Sequence, residues 1–138
     1  MDFPPNGAVG TYNWGTVDVY GRVLQARDSS IIHVIATETV PAFLAITING
    51  QLANSDNPFH VGRIIGITRE RILPRFSGEV QTYGELVNPA WRWIAGEPIF
   101  INGTYLSRIS PSVGWIKKIG VAKNPTTILV ELESSILL

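Results

Sequence analysis

The chain has 138 residues, eleven basic and eleven acidic side chains, a net charge of zero and no cysteine. That length suits one domain with its own core. The missing Cys excludes a disulfide framework and a thiolate metal site, and the balanced charge argues against a nucleic-acid groove, which needs a basic excess.

Residues 1–16 read as an extended N-terminal arm. They hold Pro4, Pro5, Gly7, Gly10 and Gly15 and show no usable period. Met1-Asp2-Phe3-Pro4-Pro5 has no basic region followed by an apolar one, so it does not read as a signal peptide. Phe3, Tyr12 and Trp14 stand in the arm as candidate anchors. Aromatics in a stretch too irregular to fold alone dock on a partner or pack back onto their own domain, and both readings stay open.

Residues 17–138 read as a single β domain. Loose alternation over 17–27 suggests a strand, followed by a β-branched run over 31–36 that contains His33. Residues 43–49 alternate Leu44, Ile46, Ile48 against Phe43, Ala45, Thr47, residues 53–60 are turn-like, and 61–68 reads as a buried strand. Residues 78–87 read as extended. Trp91, Trp93 and Ala95 are expected on one strand face, with Arg92 and Ile94 on the other. The cleanest strand is 126–132, with Thr126, Ile128, Val130 and Leu132 on one side. No window of eleven or more residues favours a helical period, and no apolar stretch is long enough for a membrane-spanning helix.

One pattern occurs twice. Ile48-Asn49-Gly50, Pro58 and Ile65-Gly66-Ile67 return as Ile101-Asn102-Gly103, Pro111 and Ile119-Gly120-Val121. The offset is 53 residues from Ile48 to Ile101 and 54 from Ile65 to Ile119, so one residue is inserted between. The repetition predicts an internally duplicated strand–turn–strand unit. Asn-Gly after an apolar run predicts a type I′ hairpin turn. Gly66 and Gly120, inside apolar runs, predict bulges or close backbone approach. The expected fold is therefore all-β, a small β-barrel or β-sandwich with a duplicated unit and an N-terminal arm.

Charged residues make up only 16% of the chain, against about 25% in an ordinary soluble domain. Eight of the eleven basic residues are Arg, which interfaces favour over Lys. Both point to a surface partly covered by copies of the chain or by a larger assembly. Arg63, Arg69, Arg71 and Arg75 form a basic run diluted by Glu70, suited to an acidic partner, an adjacent subunit or a solvated face. The greasy residues 136–138 are expected to pack on a neighbour or partner.

The sequence offers little for catalysis. His33 and His60 have no second His or Cys at ligand spacing, so no metal site is expected, and His33 reads as a hydrogen-bonded strand histidine. There is no phosphate loop and no Gly-x-Ser-x-Gly elbow. Glu79 and Glu85 near Tyr83, and Glu97 near Trp91 and Trp93, are the residues a glycoside hydrolase would use. They read more simply as solvent-facing carboxylates. No catalytic residue and no cofactor is expected.

Three ordered motifs remain. The first is Asp56-Asn57-Pro58-Phe59-His60-Val61-Gly62-Arg63-Ile64-Ile65-Gly66-Ile67-Thr68. The second is Trp91-Arg92-Trp93-Ile94-Ala95-Gly96-Glu97-Pro98-Ile99-Phe100-Ile101, and the third is Pro111-Ser112-Val113-Gly114-Trp115-Ile116-Lys117-Lys118-Ile119-Gly120-Val121-Ala122. In this run, over residues 40–132, the chain resembles a β-rich module that recurs in tailed-bacteriophage tail-fibre, head-fibre and capsid-decoration proteins. The resemblance implies a virion structural protein, assembled in the host cytoplasm and without enzymatic activity. It implies a homo-oligomer, a trimer as first choice, in contact with other virion proteins such as capsid, collar or tail proteins. Neither nucleic acid nor membrane is an expected partner. Residues 1–39 carry none of the resemblance. The short chain favours a decoration, collar or fibre-adaptor role. The alternative is a carbohydrate- or receptor-binding module of a tail fibre, with Trp91, Trp93 and Trp115 stacking on sugar rings.

Overall fold

A computed structural model of the chain describes residues 29–138. The arm, with Phe3, Tyr12 and Trp14, and the strand expected over 17–27 lie outside the described residues. The described residues form ten strands. They are β1 (Ser29–Ile35), β2 (Ala45–Thr47), β3 (Ile64–Thr68), β4 (Ser77–Val87), β5 (Pro98–Asn102), β6 (Tyr105–Ser107), β7 (Trp115–Ile116), β8 (Lys118–Asn124), β9 (Thr127–Glu131) and β10 (Ile136–Leu137). A 3-10 turn, Pro58–His60, is capped by Asn57, whose Oδ1 accepts from Phe59 N at 2.9 Å. The fold is all-β. The main antiparallel sheet runs β2-β3-β4-β9-β8-β5-β6, with β1 added against β4, and it curls into a nearly closed barrel. β7 and β10 form a separate ribbon.

The repeat seen in the sequence is a repeat in register. In the first copy Ala45, Ile46 and Thr47 face Ile67, Gly66 and Ile64, with a bulge after Ile46. In the second, Pro98, Ile99 and Phe100 face Val121, Gly120 and Lys118, with a bulge after Ile99. The next ladder repeats too: Ile67–Gln81 and Thr68–Val80 match Val121–Leu129 and Ala122–Ile128. β4 is therefore the counterpart of β9. Across the β4–β9 ladder, Tyr83 faces Glu131, its own counterpart. A local two-fold pseudo-axis passes between them, and the sheet order reads β2-β3-β4 and then, reversed, β9-β8-β5.

The paired glycines explain why the motif must repeat. A Cβ on Gly66 would lie 2.7 Å from Val80 Cγ1 and closer still to the Gln81 carbonyl oxygen. On Gly120 it would lie 3.0 Å from Ile128 Cγ2 and closer still to the Leu129 carbonyl oxygen. The same backbone approach is made twice, by equivalent strands, and only glycine allows it.

The Asn-Gly turns differ from the expected type I′, which needs positive φ at both residues. Gly50 and Gly103 have φ of 80° and 62°, but the only non-glycine residues with positive φ among the described residues are Phe43 and Arg75. In the second copy the ladder ends at Asn102–Tyr105, so the two-residue loop is Gly103-Thr104. Glycine at the first central position makes this a type II′ turn. Asn102 remains in the strand.

Two apolar clusters hold the body. The larger fills the barrel with residues from both copies, including Ile64, Ile67, Ile99, Ile119, Ile128, Val130 and Trp115. The smaller packs Val34, Ala36, Val40, Ile46, Ile72 and Val80 between β1, the connection after it and the neighbouring strands. β2 lies between the two: Ala45 belongs to the first cluster and Ile46 to the second. Burial on both faces is why alternation over 43–49 did not translate into one wet side.

Residues 91–95 are not a strand. Trp91 N–H donates to Asn88 O at 3.0 Å, closing a turn, and Trp93 N–H donates to Pro125 O at 2.9 Å. The alternation belongs to a connection strapped across the β8–β9 turn. Trp91 and Trp93 still turn their rings toward the barrel cluster.

Candidate interaction surface

The arginines do not gather at one place. Arg63 and Arg69 flank the two ends of β3, so about 20 Å separates their Cα atoms at roughly 3.3 Å per extended residue. Arg63 is exposed, with Nη1 3.4 Å from Asn49 Oδ1. Arg69 is partly buried and engaged internally. Its Nε donates to Glu79 Oε1 at 3.2 Å and its Nη1 to Gln81 Oε1 at 2.6 Å. Gln81, fully buried, passes its own amide hydrogen to Tyr83 O at 2.6 Å. This chain of polar groups ties β3 to β4. Arg71 and Arg75 are exposed beside the Val40–Ile72 bridge and the following turn.

The carboxylates considered for hydrolysis are each paired: Glu79 with Arg69, Glu97 with Arg108 at 2.9 Å, and Glu85 with Lys123. Trp115 has no face for a sugar. It is buried, and its Nε1 donates to Asn57 O at 2.9 Å. Trp91 and Trp93 are half-buried and form an aromatic row with Phe43. Phe43 meets Trp91 edge-on at 5.5 Å, and Trp91 lies 5.8 Å from Trp93. Phe43 holds a φ of 62°, which a bulky residue seldom adopts. It lines an open depression of about 210 Å³ together with Arg69, Glu85, Leu86 and Val87.

His33 is not the hydrogen-bonded strand histidine expected from the sequence: it lies in β1 opposite Glu79, but its ring is exposed and has no hydrogen-bond partner among the described residues. His60 is buried at the end of the 3-10 turn. Its Nδ1 accepts from Asn54 N at 3.1 Å, and its Nε2 lies 3.2 Å from the Asn57 amide nitrogen. Burial pushes His60 below the ordinary histidine value, with Glu38 opposing and Arg63 adding to the shift. Burial likewise lowers Lys117, with Glu133 opposing. No group of three His, Asp or Glu side chains among the described residues is arranged to hold a metal ion.

The most distinctive feature of the surface is apolar. The barrel closes where the outer ends of the sheet meet. There Ser55 N donates to Gly103 O at 2.9 Å, and Gly103 N donates to the buried Ser55 Oγ at 2.8 Å. Around this seam the connections of the two copies lie side by side. Trp115 reaches Asn57, Gly114 abuts the Ser55 carbonyl, and β10 pairs with β7. Phe59, Tyr105, Ile109, Val113, Ile136 and Leu137 project here with 61–79% of their surface exposed. A second apolar face lies on β1 and its neighbours, with Ile35, Ile48 and Phe76 each more than 60% exposed.

No family model, curated protein or solved structure matches this chain.

The candidate site is thus an exposed apolar surface. Neither apolar face was located by the sequence reading beyond the expectation that residues 136–138 would pack on something. The signal available was Phe59 and Val113, apolar residues just after Pro58 and Pro111, in turns otherwise polar.

Proposed function

We propose that the chain is a non-catalytic structural component of a tailed-bacteriophage particle, in a decoration, collar or fibre-adaptor role. It works by self-association, as a trimer in first instance, and attaches to other virion proteins through residues 1–16 with Phe3, Tyr12 and Trp14 as anchors. The observation that carries this reading is the mismatch between surface and charge. Sixteen large apolar residues among those described are at least 40% exposed on a chain with 16% charged residues. Monomeric soluble proteins rarely leave contiguous apolar patches beyond about 300–600 Å². The resemblance to phage structural modules supplies the kind of particle and the number three. The test is to purify phage particles from cells that make this chain and probe them with an antibody to it. Association with intact particles through density-gradient centrifugation supports the reading, and a chain found only in the unassembled fraction removes it.

A second reading, a carbohydrate-binding module of a tail fibre, is favoured by the row Phe43, Trp91, Trp93 beside the depression that Arg69 and Glu85 line. Binding of the purified chain on a glycan array, lost in Trp91→Ala, would establish it.

A further inference from the structure

We infer that the closing seam of the barrel, carrying Phe59, Tyr105, Ile109, Val113, Ile136 and Leu137, is where one copy of this chain meets another. The inference rests on the proposal that the chain self-associates, and it names the surface that does so.

Area is the first argument. Phe59 and Tyr105, 79% and 70% exposed at about 150–250 Å² for each aromatic residue, present roughly 200–400 Å², and Ile109, Val113, Ile136 and Leu137 add four more side chains that are 61–71% exposed. A standard specific interface buries about 800 Å² on each partner. The seam therefore contributes a large part of the contact that a stable association between copies requires.

The second argument is composition. The six side chains carry no charge, and the flanking Arg108 is already paired with Glu97. The six residues themselves ask for no charged partner, and the carboxylate that stands beside them at the Ser55–Gly114 contact is the exposed Asp56. An uncharged apolar surface on the partner fits, and the same surface on a second copy provides one. Interface centres are depleted of charge in this way and enriched in aromatic residues such as Phe59 and Tyr105.

Backbone is the third. β6 pairs only with β5, and β10 only with β7, among the described residues. Among the described residues both leave a strand edge unpaired beside the apolar side chains. Such edges are templates for another chain unless something covers them. The barrel is also most weakly joined here, where Ser55 and Gly103 carry the contact between the sheet's outer ends. A second copy seated on the seam would cover the edges and brace the closure.

The full chain, measured by light scattering at micromolar concentration, should have a mass that is a multiple of 15.1 kDa. Val113→Glu with Leu137→Glu should shift it to the single-chain mass while far-UV circular dichroism stays unchanged, because both positions are exposed. Phe76→Glu, on the β1 face, should leave the multimer intact. The chain has no Cys, so Val113→Cys gives a clean second readout. A short bismaleimide should join copies through position 113 and not through Phe76→Cys. A wild-type monomer would overturn both the inference and the proposed self-association. A wild-type multimer that survives the double substitution and does not cross-link at 113 would overturn the inference alone. Should the double variant misfold, the cross-link decides.

Discussion

Replacing Gly120 by Ala should be among the most damaging single-methyl additions this chain can suffer. The new Cβ would lie 3.0 Å from Ile128 Cγ2, 3.1 Å from the Leu129 carbonyl carbon and nearer still to its oxygen. That oxygen cannot recede freely, because Leu129 is also held from the other side by Glu85 of β4. Overpacking of this kind costs about 1–3 kcal/mol. Prising β8 from β9 also weakens one or two ladder hydrogen bonds at about 0.5–1.5 kcal/mol each. The sum, about 1.5–6 kcal/mol, is a large share of the roughly 5–15 kcal/mol that stabilises a domain. At about 3–5 °C per kcal/mol for a chain of this size, the melting temperature should fall by about 5–30 °C. Gly62→Ala is the control. It has open space around it and a φ of 72°, so it should cost only about 1–2 kcal/mol of backbone strain. Gly66→Ala, in the equivalent position of the first copy, should behave like Gly120→Ala. The assay is thermal unfolding followed by circular dichroism, with urea titration as a check. If Gly120→Ala melts at or above Gly62→Ala, the close-approach explanation of the repeat is wrong.

Ser55→Ala removes the acceptor of Gly103 N–H at the seam and should cost about 1–3 kcal/mol, seen as a lower urea midpoint with little change in slope. A midpoint equal to wild type would show that the Ser55 hydroxyl contributes nothing to closure. His60 is held below 6.5 in the folded state, so the unfolded state takes up its proton first. The stability from neutral His60 is present above that value and is lost as pH falls from 6.5 toward the lowered folded-state value. Wild type should therefore lose melting temperature more steeply between pH 7 and 5 than His60→Gln, and parallel curves would contradict this. Removal of residues 1–16 should leave a soluble oligomer that no longer joins particles. Aggregation would make the arm part of the core, and normal incorporation would move the anchor elsewhere, with residues 136–138 the next candidate.

The duplication was legible because turn chemistry and close approach impose residue types locally. Gly50 and Gly103 supply positive φ, and Gly66 and Gly120 supply a missing side chain. The equivalence of β4 and β9 was not legible. Val80 and Gln81 share no side-chain type with their counterparts beyond the β-branched Ile128, because what repeats there is a backbone ladder. Trp91, Trp93 and Ala95 alternate like a strand, yet the N–H of Trp91 goes to a turn, that of Trp93 goes to the β8–β9 connection, and Ala95 is exposed. Alternation records which side chains reach the core, and a strapped loop satisfies that as well as a ladder does. Neighbours in sequence placed His33 in a strand but gave no sign that His60 is the buried, hydrogen-bonded histidine. What separates them is the Asn57-capped turn that folds His60 back under Asn54. Arg69 was grouped with Arg63 by proximity along the chain, and β3 then carried them to opposite ends. The apolar seam was the least visible feature, since it joins residues near 59, 113 and 137 through contacts that only the closed barrel makes.

The most direct test of a virion structural role is electron microscopy of purified phage particles labelled at this chain. Label should decorate intact particles at a regular, repeated position on head, neck or tail, in multiples that match the oligomer found in solution. Particles that carry no label, while the chain accumulates unassembled in the same cells, would contradict the proposed function outright.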